Sequence, residues 1–319
     1  MKKLVGSFQR YKIFIKALLQ HGIPKTVLYF GWAPGDDLLC TVVLRGLRNM
    51  GKTRIWMMSN HPDLFKNNAD VDAVIPINPR LLQMLKRLGS NVIQPGYTEM
   101  TPDGERQIPP NKHIILKLCE SAGVTGTVEL KPIFALPDII TNNSYNTNRG
   151  IGKLKIVIQS SGSSAMFPLS TKDWYPERFQ QTVESLCNEF EFVQVGASSD
   201  PVLIGAMDLR GKNSIAETAK LLQTAHLFVG QVGFLMHLAR SVDCKSVIVY
   251  GGRETPQQSG YACNTNLYSD LECSPCWLWT PCKIGKLCMD KISSQEVVFA
   301  IREQLTTGKT VPETETHHI

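Results

Sequence analysis

Two neighbouring aspartates form the first candidate site. Asp36 and Asp37 follow Gly35 directly after a predicted buried strand, and an apolar helical pattern begins behind them. Gly35 permits a tight turn at this point. An aspartate at a helix N-terminus often caps the helix by accepting a hydrogen bond from its backbone N–H groups. Because a cap accounts for one carboxylate, the pair predicts a second one that is free to act as a general base.

A serine-rich loop in the second half of the chain has the residue types that bind phosphate. Ser161, Gly162 and Ser163 follow a predicted strand and offer hydroxyl and backbone N–H groups. Such donors suit a diphosphate. Lys172 lies in the same connection and supplies a positive charge. A flexible polar loop is the alternative interpretation.

Two further strand ends carry candidate ligand-binding residues. Gly233 would let the backbone approach a ligand, and His237 lies about one turn into the helix that follows. A lone histidine on an apolar helical face is also typical of a hydrogen-bonded core residue. Arg253 and Glu254 follow the next strand, where the planar guanidinium suits a phosphate or a sugar carboxylate. An ordinary exposed ion pair is the alternative for these two.

A cysteine-rich segment near the C-terminus is the last candidate site. It contains Cys273, Cys276, Cys282 and Cys288. Four thiols opened by a C-x-x-C pair are typical of a structural zinc or iron site. The later spacings are unusual for a zinc ribbon, so a reduced or disulfide-linked loop is the alternative. Trp277 and Trp279 lie inside the segment and suit either a packing plug or a platform for an acceptor sugar.

Alternating strands and helices position these residues. We predict strands at 26–31, 54–59, 73–77, 155–159, 192–195, 226–229 and 246–250, and helices at 37–49, 79–88, 111–122, 176–190, 214–223 and 234–242. This alternation indicates βαβ units and mostly parallel sheets. Open sheets of this kind bind ligands at the carboxyl ends of their strands.

The length predicts two domains, since 319 residues exceed what one hydrophobic core usually organises. The polar, Asn-rich stretch 141–152 is typical of a linker. We therefore expect an N-terminal domain at 1–145 and a C-terminal domain at 146–292. A helix at about 293–306 is expected, with the option that it packs back on the N-terminal domain. The remaining residues, 307–319, are predicted to be a flexible tail.

Composition and charge limit the function classes. Basic residues outnumber acidic ones by 34 to 28, an excess that suits nucleotide phosphates or anionic lipid head groups. No arginine-rich stripe supports nucleic-acid binding. No apolar run reaches the length of a membrane span, and the cysteines fit the cytoplasm as thiols or metal ligands. Residues 3–20 predict a basic amphipathic helix, which either packs on the domain or contacts an anionic membrane.

Several short motifs resemble a known enzyme family in their order and spacing. They are Gly35-Asp36-x-Leu38-Leu39-x-Thr41, His61-Pro62-Asp63-Leu64, Lys172-x-Trp174-x-Pro176-Glu177-Arg178-Phe179, Asp208-Leu209-Arg210-Gly211-Lys212, Leu227-Phe228-Val229-Gly230, Met236-His237-Leu238-Ala239 and Cys273-Ser-Pro-Cys276. Together they are similar to glycosyltransferase family 9, the lipopolysaccharide heptosyltransferase-like enzymes. The resemblance covers about residues 26–301.

The resemblance implies the GT-B fold, with two Rossmann-like domains whose mostly parallel sheets face each other across a cleft. It also implies an inverting transfer that needs no metal ion or other cofactor, with Asp36 as the general base. Lys172, the loop from Ser161 to Ser163 and the helix N-terminus before His237 would stabilise the leaving nucleotide. We therefore expect these residues to bind donor or acceptor: Gly35, Asp37, Ser161, Gly162, Ser163, Lys172, Gly233, His237, Arg253 and Glu254.

The chain departs from the family pattern at four places. After Gly230 the family usually has Asn or Thr, then Asp, Ser or Thr, and Gly, where this chain has Gln231–Phe234. Asp37 replaces an apolar residue, Val42 replaces a proline, and Gly251–Glu254 replaces a Phe-Gly-Pro-Thr run. The change after Gly230 removes donor-site contacts expected of a true heptosyltransferase.

The expected function is transfer of a sugar from a nucleotide-sugar donor to a glycan or glycolipid acceptor, in lipopolysaccharide or surface polysaccharide synthesis. The expected location is the cytoplasm, with peripheral contact at the inner membrane. One alternative is a nucleotide-sugar epimerase or hydrolase of the same fold. Another is a non-catalytic scaffold or sensor, which the altered Gln231–Phe234 loop motivates.

Overall fold

The computed structural model describes residues 2–31, 33–136, 152–306 and 315–319, with side chains from residue 9 onward. The chain forms two compact units. The first comprises Met1–Tyr97, Ile115–Ala135 and Thr316–Ile319, and the second comprises Thr98–Ile114 and Leu136–Glu315. The predicted linker at 141–152 lies outside the described residues except for its last residue.

The first unit is built around a parallel sheet of four strands. Its elements are α1 (Lys2–His21), β1 (Thr26–Tyr29), α2 (Pro34–Asn49), β2 (Ile55–Met58), β3 (Ala73–Ile75), α3 (Pro79–Arg87), β4 (Asn91–Ile93), α4 (Ile114–Ser121) and β5 (Thr127–Glu129). The strand order is β3-β2-β1-β4. Phe14 of α1 packs edge-to-face on Trp56 of β2, with ring centroids 6.2 Å apart. This contact anchors the N-terminal helix to the core of the unit.

The second unit contains a parallel sheet of six strands. Its elements are β6 (Lys155–Gln159), α5 (Pro176–Leu186), β7 (Glu191–Val195), β8 (Ala206–Asp208), α6 (Ile215–Thr224), β9 (Leu227–Gln231), α7 (Phe234–Ser241), β10 (Ser246–Gly251), α8 (Pro256–Ser259), β11 (Thr265–Tyr268), α9 (Leu287–Asp290) and α10 (Ser294–Thr306). The strand order is β11-β10-β9-β6-β7-β8. Near-continuous apolar runs in the central strands bury both sheet faces, as parallel sheets require.

Local sequence signals account for several helix starts. Ser214 and Glu217 form a reciprocal capping box at the start of α6. The side chain of Asn78 accepts hydrogen bonds from the first turn of α3. Pro176 occupies the first turn of α5, where a missing N–H costs nothing. The order of these elements and the parallel pairing of their strands confirm the expected α/β class with parallel sheets.

Helix α10 belongs to the second unit. Val297, Val298, Ala300 and Ile301 are buried in one cluster with residues of α5, β6, β9 and β10. The option that this helix packs back on the N-terminal domain is therefore wrong for these side chains. The reason is its apolar face, which covers the sheet beside α5.

The end of the chain differs from the predicted flexible tail. Thr316–His318 form a strand, β12, which pairs antiparallel with β5 of the first unit. Gly126 and Ile319 exchange backbone hydrogen bonds of 2.8 and 2.9 Å at the end of this pair. The backbone groups of β5 thus find a partner in a polar segment that has no apolar periodicity. The rest of the predicted tail, 307–314, lies outside the described residues.

Candidate functional site

Asp36 lies in the first turn of α2, near the carboxyl end of β1. The N-cap of this helix is Ala33, whose side chain makes no capping hydrogen bond, and a proline occupies the first turn. Neither aspartate is therefore the N-cap. Tyr97 donates a hydrogen bond to Oδ1 of Asp36 over 3.3 Å. Gly31 has φ of +60°, and a Cβ there would lie 2.6 Å from the Cβ of Asp36, so glycine makes room for this side chain.

Asp37 points the other way and is fully buried, at 0% exposure. Its Oδ2 accepts a hydrogen bond from the Ser59 hydroxyl over 2.6 Å and lies 2.8 Å from Nδ1 of His61. Its Oδ1 is buried without a hydrogen-bond partner among the described residues. Burial raises the pKa of Asp37, although the hydrogen bonds from Ser59 and His61 oppose the shift. A substrate-binding role for Asp37 stays a prediction, and the structure gives this side chain a buried position bonded to Ser59 and His61.

His61 and Ser59 are site residues that the sequence analysis did not single out. Both follow β2, which pairs in parallel with β1. Since parallel strands end at the same edge of a sheet, residues after β1 and β2 are neighbours. With Asp37 ionised, the imidazole donates from Nδ1, and this hydrogen bond determines its tautomer.

The serine loop after β6 is organised around a carboxylate. Oδ1 of Asp173 accepts hydrogen bonds from the Gly162 N–H over 2.8 Å and from Nε2 of Gln231 over 2.9 Å. The Ser161 hydroxyl donates to the same carboxylate over 3.2 Å. Oε1 of Gln231 accepts a hydrogen bond from the Trp174 backbone N–H over 2.9 Å. Two donors that we expected to face a diphosphate are therefore occupied by Asp173, and Gln231 clamps the loop.

Lys172 and Glu254 form an ion pair that joins two of the predicted segments. Glu254 is 3% exposed, and Arg253 lies on its other side at 3.5 Å. Burial by itself would raise the pKa of Glu254, but the charges of Lys172 and Arg253 outweigh it and lower the pKa to about 2. The alternative of an exposed ion pair is wrong for Arg253 and Glu254, because both are buried.

The donors of Arg253 are used by protein groups. Nε donates to the Leu278 carbonyl over 3.1 Å and Nη2 to Oε1 of Gln107 over 2.8 Å. The guanidinium also stacks over the Trp277 ring, 4.8 Å from its centroid. These contacts attach the segment 98–114 and the cysteine-rich segment to the end of β10. A ligand-binding role for Arg253 stays a prediction, and the structure gives it a packing role.

His237 lies inside α7 and is 5% exposed. Its Nδ1 is 2.6 Å from the hydroxyl of Tyr261, which is also buried. Burial lowers the pKa of His237 to about 3, so the imidazole is neutral at physiological pH. This environment matches the core interpretation of His237. Gly233 is the N-cap of the same helix, and no atom lies within 4 Å of the position of an added Cβ.

The cysteine-rich segment contains one buried and one exposed tryptophan. Trp277 is 2% exposed and donates from Nε1 to Oε1 of Gln258 over 2.9 Å, so it is the packing plug. Trp279 is 41% exposed. The four thiols Cys273, Cys276, Cys282 and Cys288 are all free. Burial and the nearby thiols raise the pKa of Cys288.

The cysteines lie near one another without forming a metal site. Among the residues described here, no three His, Cys, Asp or Glu side chains are placed to hold a metal ion. The disulfide-linked alternative is also not seen, because the thiols are free.

Part of the chain is similar to a known protein family. Residues 141–284 match the model of the family described as glycosyltransferase family 9 (heptosyltransferase). No curated protein sequence is significantly similar to the chain. No helix in the described part of the chain is long and apolar enough to cross a membrane.

Three solved structures share the architecture. The iron-containing dodecameric glycosyltransferase TibC from enterotoxigenic E. coli is 15% identical, with TM-score 0.68 over 90% of this chain and 80% of that one. A family 9 glycosyltransferase from Veillonella parvula is 14% identical, with TM-score 0.64 over 89% and 98%. The ADP-heptose LPS heptosyltransferase II of E. coli is 12% identical, with TM-score 0.63 over 90% and 100%. Residues 141–284 are thus similar to glycosyltransferase family 9, and the chain has the GT-B fold of the three solved structures.

Proposed function

We propose that the chain transfers a sugar from a nucleotide-sugar donor to a hydroxyl group of a glycan or glycolipid, with inversion at the anomeric carbon. The observation that carries this proposal is the environment of Asp36. Its carboxylate is half-buried in the first turn of α2, where the helix dipole favours the anion, and Tyr97 donates a hydrogen bond to one oxygen. The other carboxylate of the pair is buried, which leaves Asp36 as the base.

In this proposal Asp36 takes the proton of the acceptor hydroxyl. The acceptor oxygen then forms a bond to the anomeric carbon, and the bond from that carbon to the diphosphate oxygen breaks. The electron pair of the broken bond leaves with the nucleoside diphosphate. A base on the face opposite the leaving group is what this in-line displacement requires.

The donor side of the proposal rests on the second unit. Lys172 supplies a positive charge for the diphosphate, and the buried carboxylate of Glu254 holds its ammonium group in place. Gly233 leaves open space at the N-terminus of α7, whose dipole favours an anion. Ser163, the last residue of the serine loop, adds a hydroxyl that can bind the donor. The nucleotide base and the sugar are to be identified by screening.

The test has two steps. A thermal-shift screen with ADP, UDP, GDP and CMP and their common sugars identifies the donor, because a ligand of the folded state raises the melting temperature. Asp36→Asn is then compared with Asp63→Asn, an exposed aspartate of the same unit. We expect Asp36→Asn to keep the donor-induced shift and to lower kcat by about 100- to 10,000-fold, the usual contribution of a general base.

Three results would count against this function. Full transfer activity in Asp36→Asn removes that residue as the base. Turnover of the donor without any acceptor indicates an epimerase or hydrolase. A retained configuration at the anomeric carbon, measured by NMR of the product, excludes the inverting route.

We place the acceptor in lipopolysaccharide or surface polysaccharide synthesis at the cytoplasmic face of the inner membrane. The support is that one similar structure is named a lipopolysaccharide heptosyltransferase. Helix α1 also exposes basic side chains at Arg10 and Lys16 beside Ile15 and Leu19, the last at 83%. Such a face binds anionic bilayers. Leu19→Glu is expected to weaken co-sedimentation with phosphatidylglycerol vesicles, whereas Ile204→Glu, an exposed change in the other unit, is not.

A structural iron or zinc ion at the four cysteines stays a prediction. Its support is the closeness of the thiols and the iron named in TibC. Elemental analysis of the purified protein tests it directly. One equivalent of metal that disappears in Cys276→Ser supports the ion, and metal-free, folded protein removes it.

A further inference from the structure

A small cavity lies between the serine loop and the cysteine-rich segment, within the second unit. Its volume is about 220 Å³, and its lining includes Ser163, Ser170, Asp173, Trp279 and Thr280. We propose that this cavity is a subsite for one uncharged sugar ring, which stacks on Trp279. The inference deepens the proposed function and rests on it, since it names the chemistry that the site recognises.

The aromatic wall of the cavity is anchored and exposed. Trp279 is fixed through its backbone, because its N–H donates to the Glu105 carbonyl over 2.9 Å. Its ring faces Phe167 at 6.1 Å between centroids, and Phe167 is itself 44% exposed. A large apolar ring held in solvent beside a cavity is typical of a binding surface rather than of packing. The C–H face of a pyranose is apolar and fits such a ring.

The polar wall offers hydrogen bonds that the protein does not use. Oγ1 of Thr280 is buried and has no hydrogen-bond partner among the described residues. An unpaired buried hydroxyl costs free energy, which a ligand hydroxyl would recover. Oγ of Ser163 lies 2.9 Å from Oγ of Ser161, and whichever of the two donates, the Ser163 hydroxyl keeps a proton or a lone pair for a ligand. Within the described part of the chain, the polar neighbour of Asp173 Oδ2 is the Ser161 hydroxyl, at 3.3 Å. The polar wall therefore offers both a donor and an acceptor, which the hydroxyl groups of a sugar can use.

Charge and size exclude a nucleotide from this cavity. The Asp173 carboxylate would repel a phosphate. The nearby ammonium of Lys286 donates to the Asp173 backbone carbonyl over 3.1 Å and lies 4.6 Å from the centroid of the Tyr175 ring. The volume is below the roughly 300 to 1,000 Å³ of pockets for drug-sized ligands. One neutral sugar ring is the ligand that suits both the negative charge and the small volume of the cavity.

The sugar has two sources, the transferred residue of the donor or a residue of the acceptor, and KM values separate them. Trp279→Ala is expected to raise the KM of one of the two substrates about tenfold, with kcat within twofold. Trp279→Phe should restore most of the loss. Phe299→Ala, which removes an exposed aromatic ring on α10, serves as the matched control. Binding of the free nucleoside diphosphate should be unchanged in every variant.

Thr280→Val provides a second variant that keeps the shape of the side chain. It is expected to raise the same KM several-fold without lowering the melting temperature, because the lost hydroxyl has no protein partner. A merely structural role predicts no change in KM. The proposal is overturned if Trp279→Ala and Thr280→Val both leave the two KM values unchanged in an active enzyme.

Direct binding keeps this test separate from the proposed function. Methyl glycosides of glucose, galactose and mannose are titrated against the unmodified protein, with tryptophan fluorescence as the readout. Should no donor be turned over, quenching that is lost in Trp279→Ala would still support the subsite while the transferase proposal fails. Absence of quenching, together with unchanged binding of every nucleotide sugar in Trp279→Ala, would overturn the subsite.

Discussion

Asp37 in the first unit and Glu254 in the second are both buried carboxylates that lie just beyond a strand of a parallel sheet, and their surroundings act on them in opposite ways. Asp37 of the first unit is surrounded by the Ser59 hydroxyl and the His61 imidazole, and its pKa is raised by burial. Glu254 of the second unit lies between Lys172 and Arg253, and its pKa is lowered to about 2 despite burial. Burial raises the pKa of both carboxylates, so the neighbouring charges determine whether the net pKa shift is upward or downward.

The two carboxylates therefore have different roles. Glu254 is a permanent anion that holds two cations in place. The raised pKa of Asp37 means that its carboxylate takes up a proton more readily in the folded state than in the unfolded chain. The second unit therefore has a rigid ionic centre, and the first has a group whose protonation responds to pH.

The largest expected effect comes from removing the charge of Glu254. Glu254→Gln leaves Arg253 buried without its carboxylate, and breaking a buried ion pair costs about 3 to 5 kcal/mol. The free energy of unfolding at neutral pH, measured with urea, tests this. Glu189→Gln, which breaks the exposed pair with Arg302, should have a far smaller effect. Equal stability of Glu254→Gln and the unmodified protein would contradict the ionic centre.

The next effect is the loss of stability in acid. Because the folded-state pKa of Glu254 is below its unfolded value, its contribution is present above about pH 4.5 and is lost as pH falls toward about 2. The difference corresponds to about 3 kcal/mol. Urea unfolding between pH 2 and 5 should show that the free energy of unfolding falls less steeply with decreasing pH in Glu254→Gln than in the unmodified protein. Parallel curves would show that other groups dominate the acid limb.

The smallest expected effect is the contribution of Asp37 to stability, which changes with pH in the opposite direction to that of Glu254. Because the folded-state pKa of Asp37 is above its unfolded value, its contribution is present below about pH 4 and is lost as pH rises through the raised pKa. Asp37→Asn should remove this decline and change stability at neutral pH by about 1 kcal/mol or less, since the amide still bonds Ser59. A large loss of stability in this variant would mean that the fold needs the ionised carboxylate of Asp37.

Much of the architecture follows from local patterns. The buried strand at Thr26–Tyr29, the glycine after it and the helix at Pro34–Asn49 were predictable from apolar spacing, and they bring Asp36 to the sheet edge. The pairing of Asp37 with His61 was not, because it depends on β1 and β2 being neighbours. Strand order is a tertiary property that periodicity does not contain.

The environments of Asp173 and Arg253 were also beyond local patterns. Asp173 uses donors from a loop about ten residues earlier, and only the folded loop brings them within hydrogen-bond distance. The local sequence around Arg253 is compatible with a phosphate ligand, but in the fold its guanidinium bonds Gln107 in a distant segment of the chain. Long-range contacts of this kind decide whether a charged side chain faces a ligand or the core.

The pairing of β12 with β5 has a consequence for the order in which the protein is made. Residues 127–129 leave the ribosome long before residues 316–318, with which they pair. At the usual elongation rates the interval is roughly 10 to 40 seconds. Throughout that time Leu136–Glu315 of the second unit are synthesised, while β5 presents an unpaired edge. The antiparallel pair of β5 and β12 therefore forms only after the intervening residues have been made, and until then the edge of β5 is open to pairing with other chains.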